Sequence, residues 1–184
     1  MIRLDGTRRL AWIALPLALV GVALLRQTPI PDGAAKSRDV GRLAAVVPLI
    51  DELGLRRYRD QDGCRSIEFR GGVFGNGLSG TTCDFIDPIG APVTDAAEKA
   101  FHQVRQSLAE AGVGVNQVYA EEAYVDSDGA MSSNRQIVFG LVERAVGRWA
   151  YVYEPGHEPA GEATDTYADI DRDWYFMAWD PGQQ

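Results

Sequence analysis

The sequence predicts an α+β protein in which two helices pack on one face of a mainly antiparallel sheet, behind an N-terminal membrane helix. Three observations support this fold class: an uncharged apolar run at residues 10–25, two segments with apolar residues at helical spacing, and several segments that alternate apolar and polar residues. The predicted order after the membrane helix is α-β-β-α-β-β-β-β. Because no helical pattern separates the last four strands, we expect them to pair antiparallel.

The apolar run at residues 10–25 is the first element. Three arginines precede it and Arg26 follows it. A helix of this length rises about 24 Å, a little less than the roughly 30 Å hydrocarbon layer, and the long side chain of Arg26 can reach the interface. Basic residues before such a run are typical of a cytoplasmic end. Residues 1–26 are therefore predicted to be a cytoplasmic tip and a single-pass signal-anchor, with an extracytoplasmic (periplasmic) remainder. The alternative is a cleaved signal peptide and a secreted protein.

The charge of the chain excludes one class of partner. The formal net charge is −8, and the first 26 residues hold four arginines and one aspartate, so the remainder carries 14 basic and 25 acidic side chains, a net charge of −11. An acidic surface repels phosphate backbones and favours cationic or neutral partners. Nucleic acid is therefore not an expected partner, and the sequence does not predict an oligomeric state.

The predicted extracytoplasmic domain spans residues 37–184, behind a linker at residues 27–36 that contains two prolines and a glycine. Ser37 offers an N-cap, and apolar residues then recur at three- and four-residue steps until Gly54. This spacing predicts an amphipathic helix with a kink at Pro48.

A hairpin follows, with strands at residues 64–70 and 81–87 joined by a glycine-rich loop. Cys64 and Cys83 lie near its ends, and cysteines in an oxidising compartment pair where geometry allows. We therefore predict a disulfide, which would contribute roughly 3 kcal/mol by closing a loop of about twenty residues. A reactive or metal-binding pair is the alternative, although the spacing is not C-x-x-C and no histidine is near.

The second helix is predicted between Thr94, an N-cap, and Gly112, where its apolar stripe stops. Strands are predicted at residues 115–125, 135–143, 149–153 and 174–179. Residues 154–173 are rich in Pro, Gly, Asp and Glu, and are predicted to be a long loop that either carries function or is disordered.

Aromatic residues concentrate in the last two predicted strands. Since helices cover only one face of the sheet, some of these rings should line the other face, where they could contact a protein or a saccharide. Packing in the core or in a dimer is the alternative. The possible partner surface consists of Trp149, Tyr151, Tyr153, Trp174 and Trp179.

Three motifs are incomplete. The run from Gly75 to Gly80 has G-x-G-x-x-G spacing but leads into a strand, so it predicts a hairpin loop. The paired aspartates near residues 126 and 169 lack the glycine and glutamate of an EF-hand. His102 and His157 are the two histidines, and zinc would need carboxylates for most of its ligands. No catalytic, cofactor-binding or metal-binding residue is therefore predicted.

The sequence favours a non-enzymatic binding or interaction domain in the cell envelope, with a partner that it does not identify. The alternative is an envelope hydrolase that uses acidic residues and His157, with the aromatic face as a substrate platform. A hydrolase would bring one of three acidic residues, Glu121, Asp169 or Asp171, into one cleft with a histidine. Scattered, exposed carboxylates would favour the binding domain instead.

Overall fold

The computed structural model describes residues 30–61, 63–77, 94–122, 124–125, 131–132, 135–141, 148–157 and 167–178. From Pro31 onward these residues belong to one compact unit. None of the helices within the described ranges combines the length and the apolar character that a membrane span requires. The predicted span at residues 10–25 lies outside those ranges.

The described unit is a mixture of helices and antiparallel sheet, as the sequence predicts. Its helices are α1 (Gly33–Leu43), α2 (Val47–Leu53) and α3 (Asp95–Ala111). Its strands are β1 (Arg57–Gln61), β2 (Cys64–Phe69), β3 (Gly72–Gly77), β4 (Val115–Glu121), β5 (Tyr124–Val125), β6 (Met131–Ser132), β7 (Gln136–Leu141), β8 (Trp149–Tyr153), β9 (Tyr167–Asp171) and β10 (Trp174–Ala178).

Eight strands form one open sheet in the order β3-β2-β1-β4-β7-β8-β10-β9, and every neighbouring pair is antiparallel. The short strands β5 and β6 pair separately. The predicted element order is therefore wrong in its strand count. It lacks β1, and it places a loop where β9 lies.

The first predicted helix is two helices. Asp32 is the N-cap of α1, because its side chain accepts a hydrogen bond from the Ala35 amide at 2.7 Å. The last four residues of the predicted linker are thus helical, and Ser37 lies inside α1 instead of capping it. A turn at residues 44–46 separates the two helices. Pro48 stands in the first turn of α2, where its missing N–H costs no hydrogen bond.

The second predicted helix, α3, is confirmed at both ends. Thr94 Oγ1 accepts a hydrogen bond from the Ala97 amide at 3.2 Å, and Gly112 ends the helix with φ of +65°. Its apolar stripe is buried, with Phe101 fully enclosed at the centre and its ring 5.1 Å from that of Tyr58 on β1.

The predicted hairpin is displaced. β2 pairs with β3, which is built from the glycine-rich run predicted to be a loop, and Gly75 stands opposite Ser66. Residues 81–87 lie outside the described ranges. Cys64 is buried and disulfide-bonded. Because Cys83 is not among the described residues, its pairing with Cys64 stays a prediction.

The two faces of the sheet bury different side chains. The helices cover one face and form the main core with it. The second face carries a smaller cluster, and its buried members are Tyr119, Val138, Ala150, Val152 and Tyr175. Side chains alternate between the faces along each strand, so neighbouring residues in β8 and β10 belong to different clusters.

Candidate functional site

The predicted aromatic surface does not form one exposed patch. Tyr151 is 0% exposed and Trp174 is 5% exposed, and both pack in the core beneath the helices. Trp149 and Tyr153 are half-buried on the same side, with the Trp149 ring stacked 5.4 Å from Phe176. Strand alternation explains this, because alternate residues of β8 all point to the helix-covered face. Trp179 lies outside the described residues.

The densest polar cluster lies at the other face, where β8 runs into a tight turn. The turn spans Glu154 to His157, and the His157 amide donates to the Glu154 carbonyl at 3.0 Å. Pro155 followed by Gly156, which has φ of +79°, is the residue pair that a type II turn favours. Asp173 anchors the turn from β10's side: its carbonyl accepts the Glu154 amide at 2.8 Å and its Oδ1 accepts the Gly156 amide at 2.9 Å.

The turn places the imidazole of His157 between two carboxylates. His157 Nε2 lies 3.1 Å from Asp169 Oδ1 and 2.6 Å from the Tyr167 hydroxyl. His157 Nδ1 lies 3.7 Å from Glu154 Oε2. The Tyr167 hydroxyl also donates a hydrogen bond to Asp169 Oδ1. The ring is therefore enclosed at both of its nitrogen-bearing edges.

A tyrosine ring supports the face of the imidazole. The ring centroids of His157 and Tyr175 are 4.4 Å apart with an interplanar angle of 31°, and Tyr167 lies 5.4 Å from Tyr175. The Tyr175 hydroxyl donates to Glu154 Oε2 at 3.2 Å and accepts from Gln136 Nε2 at 2.7 Å. We call Glu154, His157, Tyr167, Asp169 and Tyr175 the His157 cluster.

Sheet register explains how these residues meet. β10 places Tyr175 opposite Asp169 and Met177 opposite Tyr167 on β9. Glu154 continues the alternation of Ala150 and Val152 on β8, and so it points to the same face. The cluster therefore joins the end of β8 to β9 and β10 on the second face.

The cluster is largely enclosed but reaches the surface. The side chains of Glu154, His157 and Asp169 are 5%, 13% and 20% exposed. Of the three acidic residues that the hydrolase alternative names, Asp169 meets a histidine in a largely enclosed site, which is the arrangement that this alternative expects. Asp171 is exposed, and Glu121 is half-buried on β4 at another part of the sheet.

His157 and Asp169 are among the candidate residues that the sequence indicates, whereas Glu154, Tyr167 and Tyr175 are not predicted as site residues. Two signals were present. The Glu154-Pro155-Gly156-His157 run is a turn signature that brings its first and last residues together. Residues 167 and 169 are two apart, so in a strand they share a face.

The other candidate residues stand apart from this cluster. His102 is exposed on α3, and its Nε2 lies 3.9 Å from Glu98 Oε1. Gly75 lies in β3. The aspartates at 126 and 128 are outside the described residues. Across the described ranges, no group of three or more His, Cys, Asp or Glu residues is arranged to hold a metal ion.

A second polar feature lies on the same face, near β1 and β4. The Tyr119 hydroxyl donates to Gln117 Oε1 at 3.0 Å, and both side chains are buried. Burial raises the pKa of Tyr119 to about 12, although Arg59, Arg57 and Arg148 act in the opposite direction. A buried phenol that experiences the charge of three guanidinium groups thus lies within an otherwise acidic domain.

Comparison with known proteins identifies no relative. No protein-family model matches the sequence. No curated protein and no solved structure is significantly similar to it. We therefore infer the function from the geometry of the His157 cluster.

Proposed function

We propose that this protein is a non-enzymatic binding domain of the cell envelope, held at the extracytoplasmic side of the membrane by residues 10–25. Residues 10–25 are the part of the chain that contacts the lipid bilayer. Its partner is a protein or a saccharide with cationic or neutral groups, and nucleic acid is not a partner. The strongly acidic charge beyond residue 26 supports this choice of partner.

One observation carries the binding assignment: the chain itself encloses the imidazole of His157. Nε2 is in contact with Tyr167 and Asp169, and Nδ1 faces the buried carboxylate of Glu154. A general base needs a nitrogen within hydrogen-bond reach of the substrate proton that it removes. The contacts at Nε2 and the carboxylate beside Nδ1 support a role in shaping a surface, rather than in proton transfer.

The proposal is tested by site-specific photo-crosslinking in cells that express the full-length chain. A photoreactive amino acid replaces Asp171, which is exposed on β9 near the His157 cluster, or Gln103, which is exposed on α3 as a matched control. We expect a discrete crosslinked species from position 171 and none from position 103. No adduct at position 171, or the same adducts from both positions, would contradict a specific binding surface at this end of the sheet.

A hydrolase is the second candidate, and the contact between Asp169 and His157 favours it. A carboxylate that orients an imidazole is half of a known general-base arrangement. The test compares the full-length wild type with His157→Gln and with His102→Gln on chromogenic ester, phosphoester and glycoside substrates. Turnover that the first variant loses and the second keeps would favour the hydrolase over the binding domain.

A further inference from the structure

We propose that β3 is a dimerisation edge, at which the β3 strands of two copies of this chain pair antiparallel and join two sheets into one. This inference goes beyond the proposed function, whose surface lies near β9 at the opposite edge of the sheet. Three features of β3 carry it: an open main-chain edge, the absence of charge, and glycines that no bulge explains.

The main chain of β3 is open along one edge. Within the described part of the chain, β3 ends the eight-stranded sheet and pairs with β2 alone. On alternate residues of such a strand, the N–H and C=O groups point away from the sheet and can pair with another strand. Gly75 is exposed, and because glycine has no side chain, the exposed surface is main chain. Another strand can therefore reach the middle of β3.

The two edges of the sheet are built differently. β9 carries Asp169 and Asp171, and the register between β9 and β10 shifts beside it. Charged side chains and bulges are devices that keep edge strands from pairing with other chains. β3 has the uncharged, proline-free sequence GVFGNG and follows β2 for six residues without a shift. β3 is therefore the edge that these devices leave open to pairing.

The glycines of β3 also indicate a neighbouring main chain. Glycine within a strand marks either a bulge or a place where another backbone approaches closely. The unbroken register between β2 and β3 excludes a bulge. Close packing of α3 does not explain Gly75, because its partner Ser66 alternates with Ile67, a member of the core beneath the helices. Gly75 thus belongs to the second face, and the approach of another strand accounts for it.

A second copy of the chain fits this edge. Every neighbouring pair in the sheet is antiparallel, and a two-fold axis through the join makes β3 antiparallel to its own copy, so the pattern continues. The net charge of −11 beyond residue 26 makes two copies repel, but β3 brings no charge of its own to the join. Pairing through β9 would instead bring Asp169 and Asp171 toward their own copies, which is unfavourable.

The experiment measures the mass of the full-length chain in nonionic detergent by sedimentation over a range of protein concentrations. We expect wild type to form a dimer. Gly75→Lys places a charge near the two-fold axis, where it meets its own copy, and should raise the dimer dissociation constant by about tenfold or more. Gly41→Lys adds the same charge at an exposed glycine of α1 and should match wild type. Gly75→Thr, which is neutral and favours a strand, should stay dimeric.

A charge exchange separates loss of pairing from loss of folding. A mixture of Gly75→Lys and Gly75→Asp should dimerise more tightly than either variant alone, since opposite charges then face each other. Val73→Lys replaces Gly75→Lys if the latter lacks the circular dichroism spectrum of the folded protein.

A monomeric wild type would overturn the proposal and leave the edge to a strand of another protein. A dimer with the same dissociation constant in the folded β3 lysine variant and in Gly41→Lys would also overturn it, because the copies would then meet elsewhere. If the dimer fails while the crosslink at Asp171 persists, the dimerisation edge is wrong and the proposed binding function stands.

Discussion

Replacing Tyr151 with phenylalanine removes the hydroxyl that joins β8 to α1. That hydroxyl donates to Asp39 Oδ2 at 2.7 Å, and the Tyr151 side chain is fully buried. Hydrogen bonds to charged groups contribute about 1.5–3 kcal/mol. Asp39 is half-buried, so water can replace part of the lost contact on its side. We therefore expect Tyr151→Phe to lower the free energy of unfolding by about 1.5 kcal/mol, the lower end of that range.

The measurement is urea unfolding of the full-length chain in nonionic detergent, followed by circular dichroism. With a urea dependence of about 1–3 kcal/mol per molar, the midpoint should fall by roughly 0.5–1.5 M. A double-mutant cycle with Asp39→Ala isolates the energy of this hydrogen-bonded pair. The control is Tyr153→Phe, because Tyr153 lies on the same strand but is half-buried. Its free energy of unfolding should change by no more than about 0.5 kcal/mol. A coupling energy below about 0.3 kcal/mol would refute the bond as the link between α1 and the sheet.

Four further predictions test the core, the bridge, the buried phenol and the membrane topology. Phe101→Ala should cost about 3–5 kcal/mol of unfolding free energy in urea, because the ring is fully buried. Exported protein should show no free thiol at Cys64 or Cys83 in a thiol assay, and detection of two thiols would eliminate the bridge. The pKa of Tyr119 is about 12 in the folded protein and about 10 in the unfolded chain, so unfolding between pH 10 and pH 12 releases a proton. The free energy of unfolding should therefore fall as pH rises across that window, and it should fall less in Tyr119→Phe. A cysteine placed at Gln27 should react with an impermeant reagent outside the cytoplasm, and labelling by cytoplasmic reagent alone would overturn the predicted topology.

The elements that the sequence predicts well are those whose signals are local. Thr94 and Gly112 bound α3 with side-chain and backbone bonds inside the helix itself, and the buried stripe between them has helical spacing. β8 is predicted to the residue, because it is a continuous run of aromatic and apolar residues and turn residues flank it. Neither prediction needs information from a distant part of the chain.

The missed strands depend on distant partners. β1, with the sequence RYRDQ, is polar at most positions, and it becomes a strand between β2 and β4 because their backbones satisfy its hydrogen bonds. β9 likewise forms at the sheet edge against β10. β3 contains three glycines, which disfavour a strand by local propensity. Pairing with β2 outweighs that preference.

The candidate site could be predicted only in part from the sequence. Alternation along a strand shows which residues share a face of the sheet, but it does not show which face the helices cover. Sequence alone therefore did not decide whether Trp149, Tyr151 and Tyr153 belong to the core or to a partner surface. The hydrogen bond from Tyr151 to Asp39 ties that side of β8 to α1, a helix that begins inside the predicted linker. Once this side faces the core, alternation turns Tyr175 on β10 toward the other face, where it supports His157. The position of the His157 cluster thus follows from where α1 packs.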